Sequence, residues 1–207
     1  MKALQLGGPF SCSGLVMTVS RLVSLFSSFG YVPVEVQEVS NQIVEWGYYS
    51  DITIAPFDGP VEHLRGNIVV YESKHVYGNV TTHCVIRYNK NSPVEWQRLV
   101  CVKELIHALD PVYLRIDTRE KAERFLEEFS YSGDTSAGMG LPALFEEAAT
   151  YQALGVLCPD LAIERLTKRG ASLKEIAQTL DIPLTYAATV VQPDWPEVRA
   201  RFVAFLI

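Results

Sequence analysis

The sequence predicts an α+β fold: a single, mostly helical domain with a small antiparallel three-stranded sheet. Three observations predict it. The chain has 207 residues, 48% of them apolar and 20% charged, which is globular composition and excludes a disordered or collagen-like chain. Apolar residues recur at helical spacing near the start and through most of the second half. Between them, residues 51–90 carry three short β-branched runs bounded by turn residues.

Each element has a local reason. Leu15, Val16, Val19, Leu22, Val23 and Phe26 share one helical face, so residues 13–28 form an amphipathic helix that Gly30 ends. Pro33 forces an extended stretch over 31–36. Ser40 is expected to cap a second helix over 40–49, with Ile43, Val44 and Trp46 on its apolar face. Residues 52–56, 67–72 and 82–89 read as the strands. The turn at 89–93 leads into a helix over 93–109, with Ser92 as cap and Pro93 in the first helical position. Further helices are expected over 117–129, 141–157, 160–168, 172–180, 183–191 and 195–206. The stretch 130–140, rich in Gly and Ser, reads as a connecting loop and a candidate lid. No linker is long enough to divide the chain, so residues 1–207 are expected to form one domain.

Charge and cysteine usage narrow the function classes. A net charge of −6 argues against an electrostatic grip on nucleic acid or an anionic membrane. Cys12, Cys84, Cys101 and Cys158 are scattered, without a CxxC pair, and read as free thiols in a reducing compartment. The apolar run at 14–26 is broken by Arg21 and is too short to span a bilayer, and no signal-peptide pattern follows it. A cytoplasmic location is therefore expected.

The segment from Trp96 to Leu109 carries the chemistry. Nine of its fourteen residues are apolar and lie nearly all round the helix, the pattern of a buried helix. Yet it holds Lys103, Glu104 and His107. Lys103 and His107 are four apart and share a face, and buried charge requires a partner from elsewhere. Lys103-Glu104-Leu105-Ile106-His107 is one substitution from His-Glu-x-x-His, in which two imidazoles hold zinc and the Glu is general base for the metal-bound water. A solvated Lys–Glu edge beside a satisfied histidine is the structural alternative.

Three blocks in order resemble the ImmA/IrrE family of zinc-dependent metallopeptidase-like proteins, over roughly residues 20–185. The first runs from Gly30-Tyr-Val-Pro-Val-Glu-Val through the strand Cys84-Val-Ile-Arg-Tyr-Asn and Trp96-Gln-Arg-Leu-Val into the motif helix. The second is Glu146-Glu147-Ala148-Ala149 continuing to Ala153, Leu157 and Pro159, and the third is the segment 170–187. The resemblance implies a zincin-type fold with a Glu on the second helix as third metal ligand. Glu146 is the first choice by spacing from Pro159, and Glu147 the second. It also implies a protein partner, often a helix-turn-helix regulator of mobile elements or of stress.

Lys103 stands where the resemblance puts the first zinc ligand. An ammonium has no lone pair to donate, and its charge repels a metal. The expectation is a degenerate homologue in which Lys103 replaces the metal's charge, Glu104 is a vestigial general base, and no cofactor is required. His107, Glu146 and Glu147 are ligands only if metal binds. His63, His75 and His83 are substitute ligands only if the fold delivers one of them. The alternative is an active zinc metallopeptidase with an unusual ligand set that cleaves a repressor-type protein. Direct nucleic-acid binding through 171–191 is the weakest reading: the second helix there lacks Arg, Lys, Asn and Gln to read base edges.

Overall fold

The computed structural model describes residues 12–61, 65–74, 78–110 and 141–204. The expected helix at 117–129, the loop at 130–140, and His63 and His75 lie outside the described residues.

Helix α1 (Cys12–Ser27) buries Val19, Leu22, Val23 and Phe26, the stripe its spacing anticipates. Helix α2 spans Val36–Glu45, four residues earlier than expected. Glu35, not Ser40, occupies the cap, and the Glu38 side chain reaches back 3.4 Å to the Glu35 N–H. Ser40 is instead buried inside the helix beside Val39 and Ile43.

Strands β1 (Asp51–Phe57), β2 (Gly66–Lys74) and β3 (Val80–Asn89) form a sheet in the order β1-β3-β2. The sheet is mixed, which corrects the antiparallel expectation. β2 and β3 pair as an antiparallel hairpin, while β1 lies parallel to β3 on its other side. Apolar alternation fixes which residues face the core but not which strand is the neighbour, so the sequence could not show this arrangement. On the inner face, Ile52 and Val70 flank Cys84, and Ile54 and Ile68 flank Ile86. Asn89 closes β3 by donating to the Gly59 carbonyl (2.9 Å) and accepting from the Asn91 N–H (3.0 Å).

Helix α3 (Val94–Ala108) starts with Pro93 itself at the cap, not Ser92. The Ser92 hydroxyl is buried and unpaired, while the Ser92 carbonyl accepts from Gln97 Nε2 at 2.7 Å. As its all-round apolar pattern anticipates, α3 buries Leu99, Val100, Cys101, Val102, Leu105, Ile106 and Ala108. Gly66 makes its seat on the sheet possible, since a Cβ there would fall 2.2 Å from Val100 Cγ1 and 3.1 Å from the Arg87 carbonyl. The Tyr49 hydroxyl donates to the Ala108 carbonyl at the far end of α3.

Helix α4 (Leu141–Leu157) packs beside α3 and α1, burying Ala148, Ala149, Ala153, Leu154 and Val156. Helices α5 (Asp160–Lys168), α6 (Leu173–Leu180), α7 (Leu184–Val190) and α8 (Trp195–Ala204) complete the described chain. Ser172 and Glu175 form a reciprocal capping box at the start of α6, and Asp181 ends it in the left-handed region at φ 52°. The Arg199 guanidinium holds Asp160 with two bonds of 2.7 and 2.9 Å, tying α8 to α5. One buried cluster runs from Val19 in α1 to Trp195 in α8. Among the described residues no helix is long and apolar enough to cross a membrane.

Candidate functional site

The site is built on two neighbouring helices. α3 supplies Lys103, Glu104 and His107 from adjacent turns, and α4 supplies Glu146 from the turn facing them. Lys103 Nζ lies 2.6 Å from Glu146 Oε2 and 3.4 Å from Glu104 Oε1. His107 Nε2 lies 3.3 Å from Glu146 Oε1, and its Nδ1 lies 2.7 Å from Asp110 Oδ2. One carboxylate thus bridges an ammonium and an imidazole. The His107–Glu146 contact is an ion-pair distance whose alignment falls short of a directed hydrogen bond, leaving Nε2 buried without a well-aligned partner.

The electrostatics follow from enclosure. Burial alone would lower the Lys103 pKa, but the Glu104 and Glu146 carboxylates outweigh it and hold the ammonium above its ordinary value. Burial likewise opposes the His107 cation. Asp110 and Glu146 overcome it and raise the imidazole to about 10, so it is protonated at neutral pH. Burial pushes the Glu146 carboxyl up, and contact with His107 together with the charge of Lys103 brings it down to about 2. Two cations therefore face the carboxylates of Glu104, Asp110 and Glu146, as a buried ionic network requires.

Glu104 is itself buried, and its Cγ stands 3.4 Å from the place of a Cβ on Gly66, so the carboxylate is held between the sheet and Lys103. Glu147 is half-buried, with no contact to Lys103 or His107 like that of Glu146. Asp110 was not singled out from the sequence, although it follows His107 at i+3, the spacing that brings two helical side chains together. His83 does not reach this site. It sits on the outer face of the sheet, and α3 packs on the inner face beside Gly66. Cys84, Cys101 and Cys158 are buried and not joined in disulfides; burial, reinforced by the Glu104 charge, pushes the Cys101 thiol up to about 12.

The residues brought together do not fit a zinc ion as they stand. One imidazole nitrogen and one carboxylate converge, and the third place is filled by an ammonium without a lone pair. Among the described residues no group of three or more His, Cys, Asp or Glu side chains stands ready to hold a metal. What the cluster does is neutralise charge: Lys103 satisfies two carboxylates that share one buried space. No protein-family model matches this chain, and no curated protein is significantly similar to it.

Proposed function

We propose that this chain is a degenerate relative of the ImmA/IrrE metallopeptidases, in which zinc hydrolysis has been lost and the fold serves as a protein-binding regulator. The observation that carries the reading is Lys103 Nζ, 2.6 Å from Glu146 and 3.4 Å from Glu104. In this reading its ammonium takes the position and the charge of a metal. The order of elements supports it: a sheet, the motif helix α3, then a glutamate from a second helix beside it. The partner is a protein of the helix-turn-helix regulator type, from a mobile element or a stress response, met in the cytoplasm. The acidic balance of −6 suits a protein partner better than nucleic acid.

A second reading is an active zinc metallopeptidase with an unusual ligand set. It is favoured by His107 Nε2, which is buried beside Glu146 without an aligned donor or acceptor. Elemental analysis of protein grown with added zinc separates the two. The wild type is expected to carry well under one zinc per chain, and Lys103→His is expected to bring it near one. Stoichiometric zinc in the wild type would overturn the degenerate reading, and a Lys103→His protein that folds but takes up no metal would sink the family relationship of the site.

A further inference from the structure

The outer face of the sheet holds a second polar constellation, made by strand register alone. Asp51 on β1 and Tyr71 on β2 both pair with His83 on β3, and Ser73 pairs with Thr81 two residues along. Asp51 Oδ2 lies 2.6 Å from His83 Nδ1. His83 Nε2 lies 2.8 Å from Ser73 Oγ and 3.0 Å from Thr81 Oγ1, and the two hydroxyls lie 2.7 Å apart. A carboxylate only accepts, so the bond to Asp51 requires a proton at Nδ1, and in the neutral ring Nε2 is the acceptor for a hydroxyl, with Ser73 the nearer of the two. This is a nucleophile, a base and an orienting carboxylate in hydrogen-bonded sequence.

We propose that Ser73, His83 and Asp51 form an acyl-transfer site, separate from the Lys103 cluster, that hydrolyses small carboxylic esters with an apolar acyl or aryl group. Ser73 Oγ bonds to the ester carbonyl carbon as its proton passes to His83 Nε2. The tetrahedral adduct then breaks its bond to the leaving oxygen, which takes the proton from Nε2. Water attacks the acyl-serine in the same way, giving its proton to Nε2. The acid departs as the proton returns to Ser73 Oγ, so the ester and one water become an acid and an alcohol. Asp51 touches no reacting atom and acts as a positioning residue through Nδ1.

Two features supply what else the reaction needs. β2 is an edge of the sheet, without a second strand partner among the described residues. Thr82 turns its carbonyl to the β1 side and Asn89 its N–H to the β2 side, so Thr81 and Ser73 face each other and the N–H groups of Glu72 and Lys74 point away from β3, the direction an oxyanion would need. Tyr71 stacks on the His83 ring at 5.0 Å between centroids and 17° between planes, which fixes the plane of the imidazole. Tyr71 (49% exposed) and Val69 (42% exposed) lie on the same face and offer apolar surface to an acyl chain or aryl ring. The Asp51 side chain is 55% exposed, that of His83 18%, and Ser73 is half-buried.

The test is covalent labelling of the full chain with a fluorophosphonate, followed by peptide mass spectrometry, with turnover of p-nitrophenyl butyrate measured alongside. A single phosphonyl adduct on Ser73 is expected. Its rate of formation should fall by about 100-fold or more in His83→Gln, the range for loss of a general base. Asp51→Asn should slow labelling and change its pH profile, which loss of a merely structural contact would not do. Circular dichroism checks that each variant is folded, and Ser73→Ala must abolish the adduct while keeping the wild-type spectrum. An unlabelled Ser73 in the wild type, an adduct on Thr81 in its place, or wild-type labelling in folded His83→Gln or Asp51→Asn would each overturn the proposal.

Discussion

Two histidines of this molecule share one half of their surroundings and differ in the other. His107 and His83 each hold an aspartate at Nδ1, at 2.7 and 2.6 Å. At Nε2, His107 meets a carboxylate inside a helix pair, whereas His83 meets two hydroxyls on an open sheet face. The carboxylate at Nδ1 therefore does not decide what an imidazole does. The group at Nε2 decides it, since the two rings are almost equally enclosed, at 16% and 18% exposed. Between two carboxylates the His107 ring becomes a cation in an ionic network, whereas the hydroxyls of Ser73 and Thr81 give His83 neutral partners.

The largest effect that can break this comparison is expected at Lys103. In Lys103→Met, Glu104 and Glu146 lose their shared cation in a mostly buried space, with a cost of about 3 kcal/mol. Urea denaturation measures it, and a change below about 1 kcal/mol would mean that the enclosed cluster is no more demanding than a surface pair.

The next effect is the pH dependence of stability. His107 binds its proton more tightly when folded, so its contribution is complete below the ordinary imidazole value and drains away as pH rises toward about 10. Glu146 is shifted the other way. Its contribution is complete above the ordinary carboxyl value and is lost as pH falls toward about 2. Denaturation midpoints of wild type and Glu146→Gln, followed across that range, should converge at the acid end and separate at neutrality. Parallel curves would show that Glu146 does not carry the coupling.

The smallest effect sharpens the contrast. Asp51→Asn removes the same kind of carboxylate from the other histidine, but with a side chain 55% exposed it should cost less than about 1 kcal/mol. Calorimetry of the variant is the measurement. A loss as large as that of Lys103→Met would show the outer cluster to be a structural brace.

The enclosed cluster was the more legible of the two. Lys103, Glu104 and His107 share one helix, and helical spacing fixes which side chains are neighbours. Glu146 was reached only through the resemblance, whose helix pattern, counted back from Pro159, puts a Glu ligand there; α4 itself ends at Leu157. Asp110 was passed over because Asp-Pro reads first as a helix stop. The outer cluster was illegible for a different reason. Asp51, Ser73 and His83 come from three strands and meet only once β1 is known to pair with β3 in parallel. That pairing and its register arise from long-range packing, and no local signal encodes them. The start of α2 shows the smaller kind of miss. Glu35 and Glu38 cap it reciprocally, and a serine nearby drew the boundary four residues late.

Arg98 makes the motif helix part of a mechanical linkage. Its guanidinium donates to the Val34 carbonyl at 2.7 Å, at the entrance to α2, and meets Asp181 Oδ2 at 2.9 Å, in the bend between α6 and α7. Arg98 and Lys103 are separated by five residues, about 7.5 Å along the helix axis. The bend at residue 181 is therefore fastened to α3 within two turns of Lys103, and the entrance to α2 is fastened at the same guanidinium.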